Sequence, residues 1–367
     1  MKLFDKVKTC AVVVSLVAVC GLSAHAKDKH SRTPRSVAVV ASTVPANGDV
    51  NPYGLVVVPK STGALVAGNL LVSNFNNSAN LQGTGTTIVQ IAPDGTSSLF
   101  SWIDASTLPG PCPGGIGLTT ALSVLSSGWV IVGSLPTTDG TSATAQAGCL
   151  LVLNNWGTVV ETIYGSLVNG PWDMTAYDLG STADLFVTNV LNGTVAGGGN
   201  IVQEGTVTRL NLTGLYGAMP TLESITVIGS GFSERTDPAA LVIGPTGVGL
   251  SPDWRMLYVA DSLNNGVQAI ANPVTRTDSA GTGTTVSTNE FLSDPLGLIV
   301  ANTGDIFTTN GNNGQLVETT PSGNQIFWPY LDISGDPPGA GALFGLVRVG
   351  QGLYYVDDAT NTLNLLQ

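Results

Sequence analysis

The chain has 367 residues, with 13 lysines and arginines against 25 aspartates and glutamates and a formal net charge of −12. Its two histidines are His25 and His30; from Ser36 onward six basic residues (Lys60, Arg209, Arg235, Arg255, Arg276, Arg348) face 23 carboxylates, the total less Asp5 and Asp28, a net −17. That field repels phosphate and argues against nucleic acid and anionic lipid as partners, while the missing imidazole removes Ser-His-Asp and Cys-His nucleophiles, His-ligated zinc and proximal-His haem.

In chain order, Lys2, Lys6 and Lys8 precede an apolar run over residues 10–22 and the small-x-small site Ala24-His25-Ala26. This pattern predicts a cleaved signal peptide at 1–26, and the run is too short to span a bilayer. A basic lead-in follows at 27–35, and residues 36–367 read as one domain. The expected location is periplasmic or extracellular, with no integral membrane association. Cys10 and Cys20 leave with the signal, so Cys112 and Cys149 remain and are expected to pair in an oxidising compartment. Such a bridge contributes roughly 3–4 kcal/mol.

Residues 37–41 form an apolar, β-branched run. After it, a triplet of bulky apolar residue, Gly and Leu recurs as Tyr53-Gly54-Leu55, Ile116-Gly117-Leu118, Val248-Gly249-Leu250, Leu296-Gly297-Leu298 and Phe344-Gly345-Leu346, with a degenerate copy at Trp172-Asp173-Met174. An alternating run follows each copy: Leu70-x-Val72-x-Asn74, Val130-x-Val132-x-Ser134, Leu185-x-Val187-x-Asn189, Leu257-x-Val259-x-Asp261, Ile306-x-Thr308-x-Asn310 and Leu353-x-Tyr355-x-Asp357. Period-two alternation marks half-buried strands. A third strand follows each run, and a fourth is legible in five repeats, near 97–102, 158–164, 222–228, 285–291 and 324–328. The last repeat lacks its fourth strand, which residues 37–41 can supply. These features predict an all-β, six-bladed β-propeller closed by an N-terminal strand that completes the last blade.

The triplets place Tyr53, Ile116, Trp172, Val248, Leu296 and Phe344 at the hub, as either a plug or a pocket for an apolar ligand. Asp173 stands where the other copies carry Gly and is either a polar ligand-binding group or a locally bonded carboxylate. Asn74, Ser134, Asn189, Asp261, Asn310 and Asp357 end the alternating runs. They read as turn caps or, with Asp173 and Asp261 as first candidates, as oxygen donors to calcium. Insertions near 75–85, 135–147 and 190–204, with a long connection at 229–247, should gather on one face.

The stretch from Gly249-Leu250-Ser251-Pro252-Asp253-Trp254 to Tyr258-Val259-Ala260-Asp261-Ser262 resembles NHL-repeat propellers and the related gluconolactonase/regucalcin-like calcium propellers, and Pro295-Leu296-Gly297-Leu298 through Pro321-Ser322-Gly323 looks like a second such unit. The resemblance implies polar residues at the first position of the triplet in lactonase or lyase members. Here that position is read as apolar throughout, and no carboxylate or amide carries over. The lyase members resemble enzymes that rely on a histidine. The expected function is therefore an exported, non-catalytic propeller presenting a loop-rich face to a protein, glycan or small molecule, without a cofactor. Tyr53, Trp172, Asp173 and Phe344 are its ligand-binding candidates. The alternative is a calcium-assisted lactonase, other hydrolase or lyase working on carboxylates without histidine.

Overall fold

Alternating apolar runs separated by glycine and asparagine turns have one economical outcome here: short antiparallel strands that bury one face against the next sheet. The computed structural model describes residues 36–217 and 219–367; the signal and lead-in expectations for 1–26 and 27–35 lie outside them. The described residues form six sheets. Blade 1 consists of Val50–Val57, Leu70–Asn76, Thr87–Ile91 and Ser97–Trp102. Blade 2 has Leu118–Val124, Val130–Ser134, Cys149–Leu153 and Val159–Ile163. Blade 3 has Pro171–Asp178, Ala183–Asn189, Val202–Thr213 and Thr221–Asp237, with an added strand Leu241–Ile243. Blade 4 has Pro245–Leu250, Met256–Asp261, Gly266–Ala271 and Thr284–Thr288. Blade 5 has Pro295–Val300, Ile306–Asn310, Leu316–Thr319 and Gln325–Phe327. Blade 6 has Leu343–Val349, Gly352–Asp357 and Thr362–Leu366, and its outer strand is Val37–Ser42.

The closure is antiparallel, with Val37 opposite Leu366 and Ser42 opposite Thr362. The six inner strands touch in ring order, and the last returns to the first. Their approach is close. A Cβ on Gly297 would collide with the Phe344 carbonyl and one on Gly345 with the Tyr53 carbonyl, so glycine at this level lets neighbouring inner strands meet.

Two sequence expectations are corrected. The connection at 229–247 is not a loop: the outer strand of blade 3 runs on to Asp237, turns at Pro238-Ala239-Ala240 and returns as Leu241–Ile243. The hub positions in blades 2 and 4 also shift. Pro52 pairs with Asn74 in blade 1, and the same rung is Leu118 with Ser134 in blade 2 and Pro245 with Asp261 in blade 4. The residues that follow are Thr119 and Thr246, so these stand at the hub in place of Ile116 and Val248. Side-chain bonds between blades agree. The Ser73, Thr188 and Thr309 hydroxyls donate to the carbonyls of Thr119, Thr246 and Phe344 at 2.7, 2.8 and 2.8 Å. The apolar-Gly-Leu triplet begins three residues before the hub position in blade 2 and two residues after it in blade 4.

Cys112 and Cys149 are joined. The bridge ties the link between blades 1 and 2 to the third strand of blade 2. Among the described residues no helix is long and apolar enough to cross a membrane.

Candidate functional site

Side chains alternate along a strand, so each inner strand sends one residue up into the hub and the next sideways or down. Tyr53, Trp172 and Phe344 point to the same place. The Tyr53 ring stacks on Phe344 at 4.0 Å and on Phe75 at 4.4 Å and lies 6.2 Å from Trp172. Leu241 and Val242, from the hairpin of blade 3, join this cluster. The three aromatic candidates are thus assembled as expected. Together with Leu296 they form a layer that divides the channel, with one cavity on each side.

The upper cavity has a volume of about 750 Å³ and opens on the face where the inner strands begin. Its floor is Tyr53, Trp172, Leu296 and Phe344, and its wall carries Asn51, Arg235, Asp237, Asp294 and Asp358. The hairpin crosses the mouth and is held at its tip by Gln82, whose Nε2 donates to the Ala239 carbonyl at 2.8 Å. Asp237 shapes the hairpin: one carboxylate oxygen accepts from the Ala239 and Ala240 N–H groups at 2.8 and 3.0 Å, and the other meets the Arg235 guanidinium at 2.7 Å.

Asp294 and Asp358 are the groups with chemical potential. Asp294 is 9% exposed, and its Oδ1 is buried with no hydrogen-bond partner. Burial, and then the charge of Asp237, push its carboxyl up to about 6, against the pull of the Ser262 hydroxyl and Arg235. Burial, followed by the charge of Asp357, pushes Asp358 up to about 7. Burial and both carboxylates hold the Tyr53 phenol protonated well above its usual range. Carboxyls that change charge near neutrality supply the acid–base function the missing histidines would otherwise provide.

Asp173 lies on the other side of the aromatic layer, although Trp172 is its neighbour. Its Oδ2 accepts the Val248 N–H at 3.0 Å. Burial, countered by the N–H groups of Met174 and Val248, pushes its carboxyl up to about 8. It faces a lower cavity of about 450 Å³ and takes no part in the upper one. Asp261 lines neither cavity, and both its oxygens accept from the Asn264 amide at 3.0 and 2.9 Å. Of the other strand-end residues, Asp357 accepts the Thr360 N–H at 3.1 Å and Ser134 accepts the Gly117 N–H at 3.0 Å, whereas Asn74, Asn189 and Asn310 donate through Nδ2 and keep a buried Oδ1 with no partner.

Calcium is the ion the resemblance brings into question, and the donor set does not fit it. Among the described residues no three His, Cys, Asp or Glu side chains converge, and the hub positions hold aromatic, leucine or threonine side chains.

The sequence reading missed Asn51, Asp294 and Asp358. A signal was present for two of them: Asn51-Pro52 and Asp294-Pro295 both place an Asx-Pro pair two residues before a hub side chain. Asp358 gave none, because its role depends on what packs beside it.

No family model and no curated protein matches the sequence. Solved structures do match the fold. A gluconolactonase from Xanthomonas campestris is 13% identical with a TM-score of 0.54, covering 90% of this chain and 89% of its own. A calcium-binding regucalcin from Agrobacterium tumefaciens is 12% identical with a TM-score of 0.53, covering 89% and 93%. An inactivated virginiamycin B lyase from Staphylococcus aureus, with quinupristin, is 13% identical with a TM-score of 0.50, covering 91% and 99%. The chain therefore has the six-bladed fold of gluconolactonase/regucalcin-like propellers. These neighbours include enzymes, and together with the buried carboxyls they overturn the expectation of a non-catalytic scaffold. A missing histidine does not by itself exclude acid–base chemistry, because burial can raise the pKa of an aspartate toward neutrality.

Proposed function

We propose that the protein is an exported hydrolase that opens an ester bond, a lactone in the first instance, in the upper cavity by carboxylate acid–base chemistry. The observation that carries this reading is Asp294: a nearly buried carboxylate with an unpartnered oxygen, on the wall of a cavity shared with a second carboxyl of higher pKa. Ionised Asp294 takes a proton from water as the water oxygen bonds to the acyl carbon. The acyl–alkoxy bond then breaks, and protonated Asp358 gives its proton to the departing alkoxide. The two carboxyls regain their starting states by exchange with solvent. Asn51 and Tyr53 line the path as uncharged hydrogen-bonding groups, and the aromatic floor excludes water from one side. The Cys112–Cys149 bridge suits an oxidising compartment. Since the donor set does not fit calcium, no step is assigned to a metal.

Base and acid with values near 6 and 7 give a bell-shaped rate profile, highest between them, because Asp294 must be ionised and Asp358 protonated. The test is a panel of lactones and aryl esters assayed from pH 4 to 9 with and without chelator. Asp294→Asn is expected to lower kcat/KM by about 100-fold or more and Asp358→Asn to abolish the alkaline limb, with melting temperatures retained. No turnover of any panel member, or turnover unaffected by Asp294→Asn, would reject the reading.

A further inference from the structure

The lower cavity is a different kind of site. Its walls are the later residues of all six inner strands, with aliphatic side chains such as Leu55, Leu122, Leu250, Leu298, Val300 and Leu346. Its inner end is formed by Thr120, Asp173, Gly297 and Gly345, on the far side of the aromatic layer from the upper cavity. At the closed end stand two polar side chains at the level where four blades carry the close-packing glycines Gly54, Gly247, Gly297 and Gly345. One is Asp173, and the other is Thr120, in the expanded first strand of blade 2, where Leu118 and Leu122 rather than adjacent rungs flank the bulge. Thr120 is 5% exposed, and its Oγ1 is buried with no hydrogen-bond partner. An unmade hydrogen bond at a buried hydroxyl costs stability, and Thr120 is among the residues that line a cavity large enough for a small molecule.

We propose that this cavity is a second ligand site, for an uncharged aliphatic molecule carrying one carbonyl or hydroxyl, whose polar end bonds Thr120 Oγ1 beside Asp173 while its chain lies along the inner-strand leucines and valines. Three observations select the class. Aliphatic walls favour a hydrocarbon chain. At the closed end the polar side chains are Thr120 and Asp173 alone, with Ser123, Thr175 and Asp178 further along the strands toward the rim, so one head group is satisfied at the closed end and a second beside it would be stranded. Charge is disfavoured at the closed end: the strongly acidic body and Asp178 in the lining repel an anion, and Asp173, held neutral by burial, offers a cation placed beside Thr120 no counter-charge. At the rim, Trp254 packs over Tyr177 with ring centroids 5.0 Å apart and forms part of the lining.

The experiment is isothermal titration of the mature protein with 2-octanone and 1-octanol, with octanoate and octylammonium as charged matches. Saturable binding of the ketone and the alcohol is expected, with the two ions weaker by at least tenfold. Thr120→Val should weaken ketone binding about fivefold, the scale of one hydrogen bond, and Thr120→Ser should restore it; both variants are checked by thermal melting. Binding should survive Asp294→Asn, which separates this site from the hydrolytic one. No saturable binding of the neutral probes, an ion binding as tightly as the ketone, or equal affinity in Thr120→Val and the parent would each overturn the assignment.

Discussion

Asn265 and Asn361 perform the same task four positions after a strand-end aspartate. Both adopt the left-handed region, with φ of 48° and 53°. Their side-chain oxygens accept the backbone N–H of Asp294 and Asn51, each at 2.7 Å. Those two residues also have positive φ, 54° and 60°, which asparagine and aspartate tolerate better than most. The turn of one blade thereby sets the backbone from which the next blade presents a polar side chain to the upper cavity. Asp173 shows how burial acts on a single residue. Its pKa is 3.8 when free and about 8 in the fold, so the contribution of its neutral form to stability is complete below 3.8 and is lost as pH rises through 8. Asp173→Asn cannot ionise and keeps an acceptor for the Val248 N–H. Relative to the parent, its melting temperature should rise by a few degrees between pH 5 and pH 9; the same difference at both pH values would show that Asp173 is not buried as described.

At the scale of the element, the hairpin of blade 3 is the part the sequence concealed. Gly229, Ser230 and Gly231 interrupt the strand pattern, and Glu234-Arg235-Thr236-Asp237 shows no apolar alternation, so the segment reads as a connection. It is nonetheless paired, because Arg235, Thr236 and Asp237 find partners in Ile243, Val242 and Leu241. Leu241 has φ of 65°, a conformation unfavourable for leucine. The strain is offset by burial of its side chain on the aromatic layer, worth about 1.5–3 kcal/mol. Leu241→Ala removes that anchor and leaves the Gln82–Ala239 bond. Amide hydrogen exchange in 233–243 should then accelerate at least tenfold while the blades stay protected; unchanged exchange would mean the hairpin is held by something else.

At the scale of the whole molecule, the ring depends on a strand borrowed from the other end of the chain. Without Val37–Ser42 the third strand of blade 6 would expose its edge, a template for pairing with another chain. A mature protein lacking 36–42 is expected to melt lower and to form dimers or larger species in size-exclusion chromatography with light scattering. A monomer of unchanged melting temperature would show that the closure contributes little.

Alternating runs, turn residues and the unpaired last repeat were enough to determine the blade count, the closure and the disulfide, because each depends on local periodicity or on a pairing with one available partner. That Tyr53, Trp172 and Phe344 meet at the hub was legible for the same reason. Tertiary structure alone decided which side of the aromatic layer each polar group occupies, that Thr119 and Thr246 stand at the hub, and that Asp294, Asp358 and Asp173 are buried deeply enough for their titration to move up toward neutrality. A carboxyl's chemistry follows from the water and charge it loses on folding, and residues far apart in the chain remove them.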